Sequence, residues 1–177
     1  MGTMRSAPLP RDLAGPVTVA LAKAAPTIPG AGALPGGCVY ELKWDGFRLV
    51  IVTTTTGSRL WTRQGTDLTD RFPEITAAAT AVLPVGSVVD GELVVFDGTR
   101  LSFSLLQRRM VRNPGDVRRL ATAHPASYVA FDLLAEGGVD LRRRPFTYRR
   151  TALEQLTTWV PPLQLSPTTT DPTVARA

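Results

Sequence analysis

Residues 41–48 read "ELKWDGFR", and both the fold and the chemistry of the chain turn on how this stretch is understood. The sequence holds 18 arginines but only two lysines, Lys23 and Lys43. A chain that uses arginine at nearly every basic position has kept an amine here, in an apolar strand-like run just before an aspartate and a glycine. Arginine stays protonated at any accessible pH, whereas a lysine whose pKa is lowered can lose its proton and attack an electrophile. Lys43, Asp45 and Gly46 are expected at a strand end, where glycine lets the backbone come close to a ligand. On its own the pattern more often marks a snorkelling lysine before an Asp-Gly turn, so the wider chain has to decide.

Working outward, "CVYELKW" (38–44) and "FRLVIVTTTT" (47–56) are β-branched and aromatic runs, and "TGS" (56–58) turns the chain into "RLWTR" (59–63). These predict antiparallel strands. Asp67, Thr69 and Asp70 are candidate caps for an alanine-rich helix, "FPEITAAATAVL" (72–83), with Pro84 and Gly86 past its end. "SVVDGELVVFDG" (87–98) is strand-like, although Asp90-Gly91 between two apolar halves is also a hairpin-turn signature, the favoured reading on composition alone. "SFSLLQRRM" (102–110) predicts a short helix opened by a serine cap, and Pro114-Gly115 a break. "SYVAFDLLAEGGVDL" (127–141) is the most apolar strand and carries a Gly137-Gly138 turn. "TYRRTALEQLTTW" (147–159) predicts a helix capped by Thr147, "LQLSP" (163–167) a last strand, and Asp171-Pro172 a helix start. Strand runs with helices interspersed, and no regular βαβ alternation, predict an α+β fold of antiparallel sheets flanked by helices.

Composition narrows the function classes. At 177 residues and 44% hydrophobic, the chain suffices for one globular core. Residues 1–37 are rich in Ala, Pro and Gly and predict a loosely structured arm wrapping onto a domain at 38–177. The net charge is +5, and residues 100–150 carry eleven arginines against four carboxylates, a local surplus of +7. That surplus suits a phosphate-rich partner, and equally an arginine-rich solvated surface. A lone cysteine, Cys38, excludes a disulfide framework and a multi-cysteine zinc site and fits a reducing cytoplasm. The apolar N-terminal piece at 17–25 is interrupted by Lys23 and falls short of the ~20 residues of a spanning helix, so no membrane is expected. Cys38, Trp61 and Trp159 read as core residues and His124 as a loop histidine.

Four segments in order raise the weight of Lys43. "ELKWDGFR", "TRQGTDLTDRFPE" (62–74), "VVDGELVVFD" (88–97) and "YVAFDLL" (128–134) resemble the first nucleotidyltransferase motifs of ATP-dependent DNA ligases, especially the bacterial type associated with end joining and repair. The resemblance covers roughly residues 16–177. It implies a partial covalent-nucleotidyltransferase (ATP-grasp-like) adenylation domain, with ATP and Mg²⁺ or Mn²⁺ as cofactors and nicked or broken double-stranded DNA as partner. By the same resemblance Lys43 would attack the α-phosphate of ATP and Glu41 would accept from the adenine amino group. Arg48 and Arg63 would hold the ribose and phosphate side, and Phe131 would stack on adenine. Glu92, with Asp90 nearby, would touch the ribose or a divalent ion, and Asp45 would share the metal. The residue types suit phosphoryl chemistry independently, since it needs a neutral amine, cations on phosphate oxygens and hard oxygen ligands for a metal.

The likeness ends towards the C-terminus. Gln64 stands where the family more often has asparagine, "EGGVD" at Glu136 lacks the lysine of the fourth motif, and no lysine follows Lys43. The chain is therefore expected to depend on a C-terminal fragment or an oligonucleotide-binding (OB-fold) barrel for full activity. A non-catalytic nucleotide- or DNA-binding remnant, or an RNA ligase or capping-type nucleotidyltransferase, are the competing readings.

Overall fold

A computed structural model describes residues 7–21, 23–111 and 113–176. These fall into two compact units: Asp45–Leu165 with the described residues up to Thr18, and Val19–Trp44 with the residues from Ser166 onward.

The smaller unit contains a two-stranded antiparallel sheet, β1 (Tyr40–Glu41) on β9 (Thr168–Thr169). The Trp44 indole donates to Ser166 Oγ at 3.1 Å and the Tyr40 hydroxyl to Pro29 O at 2.8 Å. The long strand expected over 38–44 is thus only two residues, because it has a single short partner. Cys38 is partly exposed, its Sγ donating to Gly30 O, and not the buried hydrophobe expected. Asp171 behaves as read, its Oδ1 accepting from Thr173 N at 2.7 Å, but the turn it opens is a single 3₁₀ turn at Val174–Arg176.

The larger unit is built on a seven-stranded sheet. Its path runs β3 (Gly57–Thr62), β2 (Phe47–Thr54), β4 (Val88–Asp97), β6 (Ala126–Glu136), β7 (Val139–Asp140); β5 (Arg100–Leu101) pairs with β4 and β8 (Leu163–Leu165) with β6. Every pairing is antiparallel except β6 with β8. The α+β expectation holds, with that one parallel pair as an addition. Helices α1 (Pro73–Val82), α2 (Phe103–Arg108), α3 (Pro114–Ala123) and α4 (Phe146–Gln155) flank the sheet. Leu49, Ile51, Leu60, Ile75, Val89, Leu93, Tyr128 and Leu153 belong to one buried cluster; period-two residues of three strands therefore meet apolar stripes of helices.

Three local readings are corrected. Pro114-Gly115 opens a helix: Pro114 occupies its first turn, and the Asn113 side chain caps it by accepting from Gly115 N at 2.8 Å. Proline loses nothing there, because the first N–H groups of a helix have no intrahelical acceptor. Neither α1 nor α4 has a side-chain cap, and their N-cap positions are Phe72 and Pro145. Thr69 instead serves the neighbouring strand, its Oγ1 accepting from Leu60 N at 3.0 Å, and Asp67 Oδ1 accepts from Thr69 N. The serine cap of α2 is present as read, with Ser102 Oγ accepting from Leu105 N.

The described N-terminal residues of this unit form a strap. Ala7 N donates to Gly137 O at the β6–β7 turn, Asp12 pairs with Arg142 at 2.7 Å, and Pro16 lies against Gly65 beyond β3. The strap thus runs from one end of the strand order to the other, burying Leu13 and Val17. Among the described residues no helix is long and apolar enough to cross a membrane.

Candidate active site

The sheet sorts the predicted site residues onto one face. On β2, Leu49 and Ile51 point into the core cluster, so Arg48 points away from it; on β4, Val89, Leu93 and Val95 do the same, so Asp90 and Glu92 share the face of Arg48. Arg48 lies opposite Glu92 in the register. Its guanidinium grips Asp90 with two hydrogen bonds, Nε to Oδ1 at 3.2 Å and Nη2 to Oδ2 at 2.7 Å. Asp90-Gly91 is therefore mid-strand, and the hairpin-turn reading is excluded: β4 pairs on both sides here, with β2 and with β6.

Gly91 has a packing reason. A Cβ there would sit 2.5 Å from Tyr128 Cζ and 2.6 Å from Val129 O. The Tyr128 ring crosses that position, and its fully buried hydroxyl lies 2.9 Å from Val89 O and 3.1 Å from Leu49 O, donating to both strands. Glycine between two carboxylates lets a tyrosine tie β2 to β4 underneath them.

A β-bulge aims Phe131. Asp90 pairs with Asp132 and Gly91 with Ala130, leaving Phe131 as the extra residue of β6. Core positions shift across it from Ala126, Tyr128 and Ala130 to Leu133, so the bulge moves both Phe131 and Asp132 off the core face. Phe131 thereby meets Arg48, whose Cζ stands 5.4 Å from the ring centroid. Asp132 takes a bidentate pair from Arg149, both bonds at 2.8 Å.

Arg48, Arg63 and Glu92 line one cleft of about 430 Å³ with Gly46, Thr66 and Met110. Arg63 follows directly on β3. Lys43 and Glu41 belong to the smaller unit, and Asp45 is the exposed residue with which the larger unit resumes. Phe131 does not line this cleft but stands against Arg48, which does. A larger opening of about 720 Å³, bounded by Thr69, Arg71, Thr76, Pro114 and Arg118, holds none of the predicted residues.

Burial holds the Asp90 carboxyl above the ordinary carboxylate range, against the pull of Arg48. Burial weighs against the Arg48 charge, and the bonds to Asp90 outweigh it, so Arg48 sits above its usual value. Because the folded-state pKa of Asp90 is raised, its contribution to stability is present below the unfolded pKa and lost as pH rises through the folded value. Asp90→Asn cannot ionise. It should therefore gain stability relative to the parent chain as pH rises from about 4 to about 7. The difference in Tm between the two proteins at those pH values reads this directly; a difference that stays constant or moves the other way contradicts it.

Two features escaped the sequence. Arg109, counted there in the basic surplus, is fully buried; it bonds Glu74 through both terminal nitrogens at 2.7 and 3.0 Å and stacks over Phe72 at 4.7 Å. With it, Arg119, Arg142, Arg149 and Arg150 are also paired to carboxylates. Glu74 and Glu154, from outside the stretch, offset Arg109 and Arg150 beyond the four carboxylates already counted, and among the described residues Arg100, Arg108, Arg118, Arg119, Arg143 and Arg144 are its exposed members.

Comparison with known proteins decides among nucleotidyltransferases. The family model described as ATP dependent DNA ligase domain matches residues 20–174. The chain belongs to this family. It is 43% identical over 145 residues to DNA ligase C2 of Mycolicibacterium smegmatis, covering 81% of this chain and 41% of that protein. It is also 43% identical over 121 residues to DNA ligase C of Mycobacterium tuberculosis, covering 68% of this chain and 34% of that one. Among solved structures it resembles a mycobacterial DNA ligase D complexed with ATP and MES, with a TM-score of 0.56 and 29% identity over 73% of this chain and 40% of that one. The chain thus spans about two fifths of these relatives or less.

Proposed function

We propose that this ligase-family chain carries the nucleotidyl-transfer chemistry of ATP-dependent DNA ligation, with Lys43 as nucleophile. The observation that supports it best is the cleft where Arg48, Arg63 and Glu92 meet Gly46, the last residue of the Lys-x-Asp-Gly motif. The Lys43 amine attacks the α-phosphorus; an N–P bond forms as the P–O bond to pyrophosphate breaks, and the amine gives up its proton. AMP then passes from Lys43 to a DNA 5′-phosphate, and a 3′-hydroxyl displaces it to seal the strand.

Arg48 and Arg63 supply fixed positive charge for phosphate oxygens, which is where such a transfer gains most of its acceleration. Glu41 is assigned to the adenine amino group, and Phe131 to the base through the ring it now shares with Arg48. Among the described residues there is no group of three or more His, Cys, Asp or Glu side chains suited to a metal. That fits Mg²⁺ or Mn²⁺, which is held by one or two carboxylates and the substrate phosphates and needs no protein-built cage. Asp45 and Glu92 are the carboxylates assigned to it, and the ion would neutralise charge developing on the phosphates.

Nicked or broken double-stranded DNA is the assigned polymer, with the grip on both ends completed by an OB-fold domain or a further C-terminal segment. Self-adenylation by the 177-residue chain alone is expected to be slow and nick sealing below detection, since several preorganised charges are to come from those parts. Mass spectrometry after incubation with ATP and Mg²⁺ tests the reading: a covalent AMP adduct, not formed with NAD in place of ATP, is expected. An unmodified mass after prolonged incubation favours the nucleotide-binding remnant.

A further inference from the structure

We infer that Glu92 is a positioning residue that fastens the nucleophile-bearing segment to the sheet through the backbone of Gly46. Gly46 N donates to Glu92 Oε1 at 3.1 Å. Gly46 also lies flat on β4: a Cβ there would stand 2.1 Å from Leu93 O and 3.0 Å from a methyl of Val94. A side chain there would drive its Cβ into that carbonyl, so glycine lets the backbone sit where its amide reaches Glu92. Gly46 immediately precedes β2, so its amide lies outside the β2–β4 ladder, which begins at Phe47 opposite Leu93. The Glu92 carboxylate adds one bond just beyond the end of that ladder, from a side chain instead of the β4 backbone.

The consequence lies three residues upstream. Lys43 is tied to Gly46 by a stretch that spans at most ~10 Å, so whatever fixes Gly46 limits the volume the amine can search. Misplacing a reacting group by about 1 Å can cost on the order of 10²-fold in rate. A carboxylate kept only for ribose or metal would not need to be an acceptor for a motif amide. Here the acceptor function is distinct from charge, because a neutral carboxamide oxygen can take the same hydrogen bond.

This rests on Lys43 being the nucleophile, and the test separates the two claims. Amide exchange at Gly46 is followed by NMR in the 177-residue chain and in Glu92→Ala and Glu92→Gln, and lysyl-AMP formation is followed in parallel at varied ATP. Glu92→Ala is expected to speed Gly46 exchange at least about tenfold. It should also slow the limiting rate of adduct formation by about 10²-fold, with a smaller change in the ATP concentration at half-maximal rate. Glu92→Gln is expected to restore the Gly46 protection and to form the adduct faster than Glu92→Ala but slower than the parent chain, since it keeps the acceptor oxygen and loses the charge assigned to the metal. Equal exchange in all three proteins overturns the inference whatever the adduct does. Restored protection in Glu92→Gln with a rate no better than Glu92→Ala also overturns it, by assigning the rate to the carboxylate charge. If no protein forms the adduct, the exchange arm still decides the tether while the nucleophile assignment fails.

Discussion

Replacing Lys43 by arginine is expected to abolish the AMP adduct while leaving the fold intact. The reaction needs a neutral nitrogen, and a guanidinium stays protonated at any accessible pH. Delocalisation lowers its nucleophilicity further. Lys43 is exposed, and exchanging one exposed cation for another changes stability by about 1 kcal/mol at most, so the melting transition should stay where it is. Lys23, the only other lysine, stands in the Ala/Pro-rich stretch with no motif residue beside it. Intact-mass measurement of Lys43→Arg with ATP and Mg²⁺ is the check. An adduct as abundant as in the parent chain would remove Lys43 from the mechanism.

The second large effect concerns the fold. Arg109→Ala is expected to lose about 3–5 kcal/mol, the usual cost of leaving one partner of a buried pair uncompensated. Against a total stability of ~5–15 kcal/mol, that is from about a fifth of the total to all of it. The guanidinium is fully buried at the end of α2, where it binds Glu74 of α1 by two bonds, Arg71 O at 2.8 Å and His124 O at 3.4 Å. Glu74 in turn accepts from Ala126 N, the first residue of β6. One side chain thus closes α1, α2 and the entry to β6 together. Arg109→Lys should recover little, because a single ammonium cannot reproduce the fork. Pairing Arg109→Leu with Glu74→Leu should recover part of the loss, and only part, since Arg71 O and Ala126 N keep no substitute partner. Urea denaturation of the four proteins measures this; a single Arg109→Ala loss under ~1 kcal/mol would show the pair to be dispensable.

The candidate site was legible as a set of motifs because its residues are local. Lys43, Asp45, Gly46 and Arg48 lie within six positions, and Asp90, Gly91 and Glu92 within three. Alternation within a strand is enough to place Arg48, Asp90 and Glu92 on the face away from the apolar positions. What failed was read from single residues without their neighbours. Asp90-Gly91 looks like a turn because those residues favour turns, and only the ring of Tyr128, 37 positions away, explains a glycine mid-strand.

By itself, then, the sequence determined the α+β class, the order of the long strands and helices, and the motif that belongs to the ligase family, since these follow from periodicities and residue chemistries that act over a few positions. The tertiary structure alone decided three matters: that Arg48 is held by Asp90 and laid on Phe131, that a bulge turns Phe131 off the core, and that five arginines of the basic stretch are paired to carboxylates. A count of charges cannot show which of them are already neutralised. Ion pairing and strand register are set between segments distant in sequence, where burial raises the cost of an unpaired charge and a one-residue shift reverses the face of every side chain beyond it.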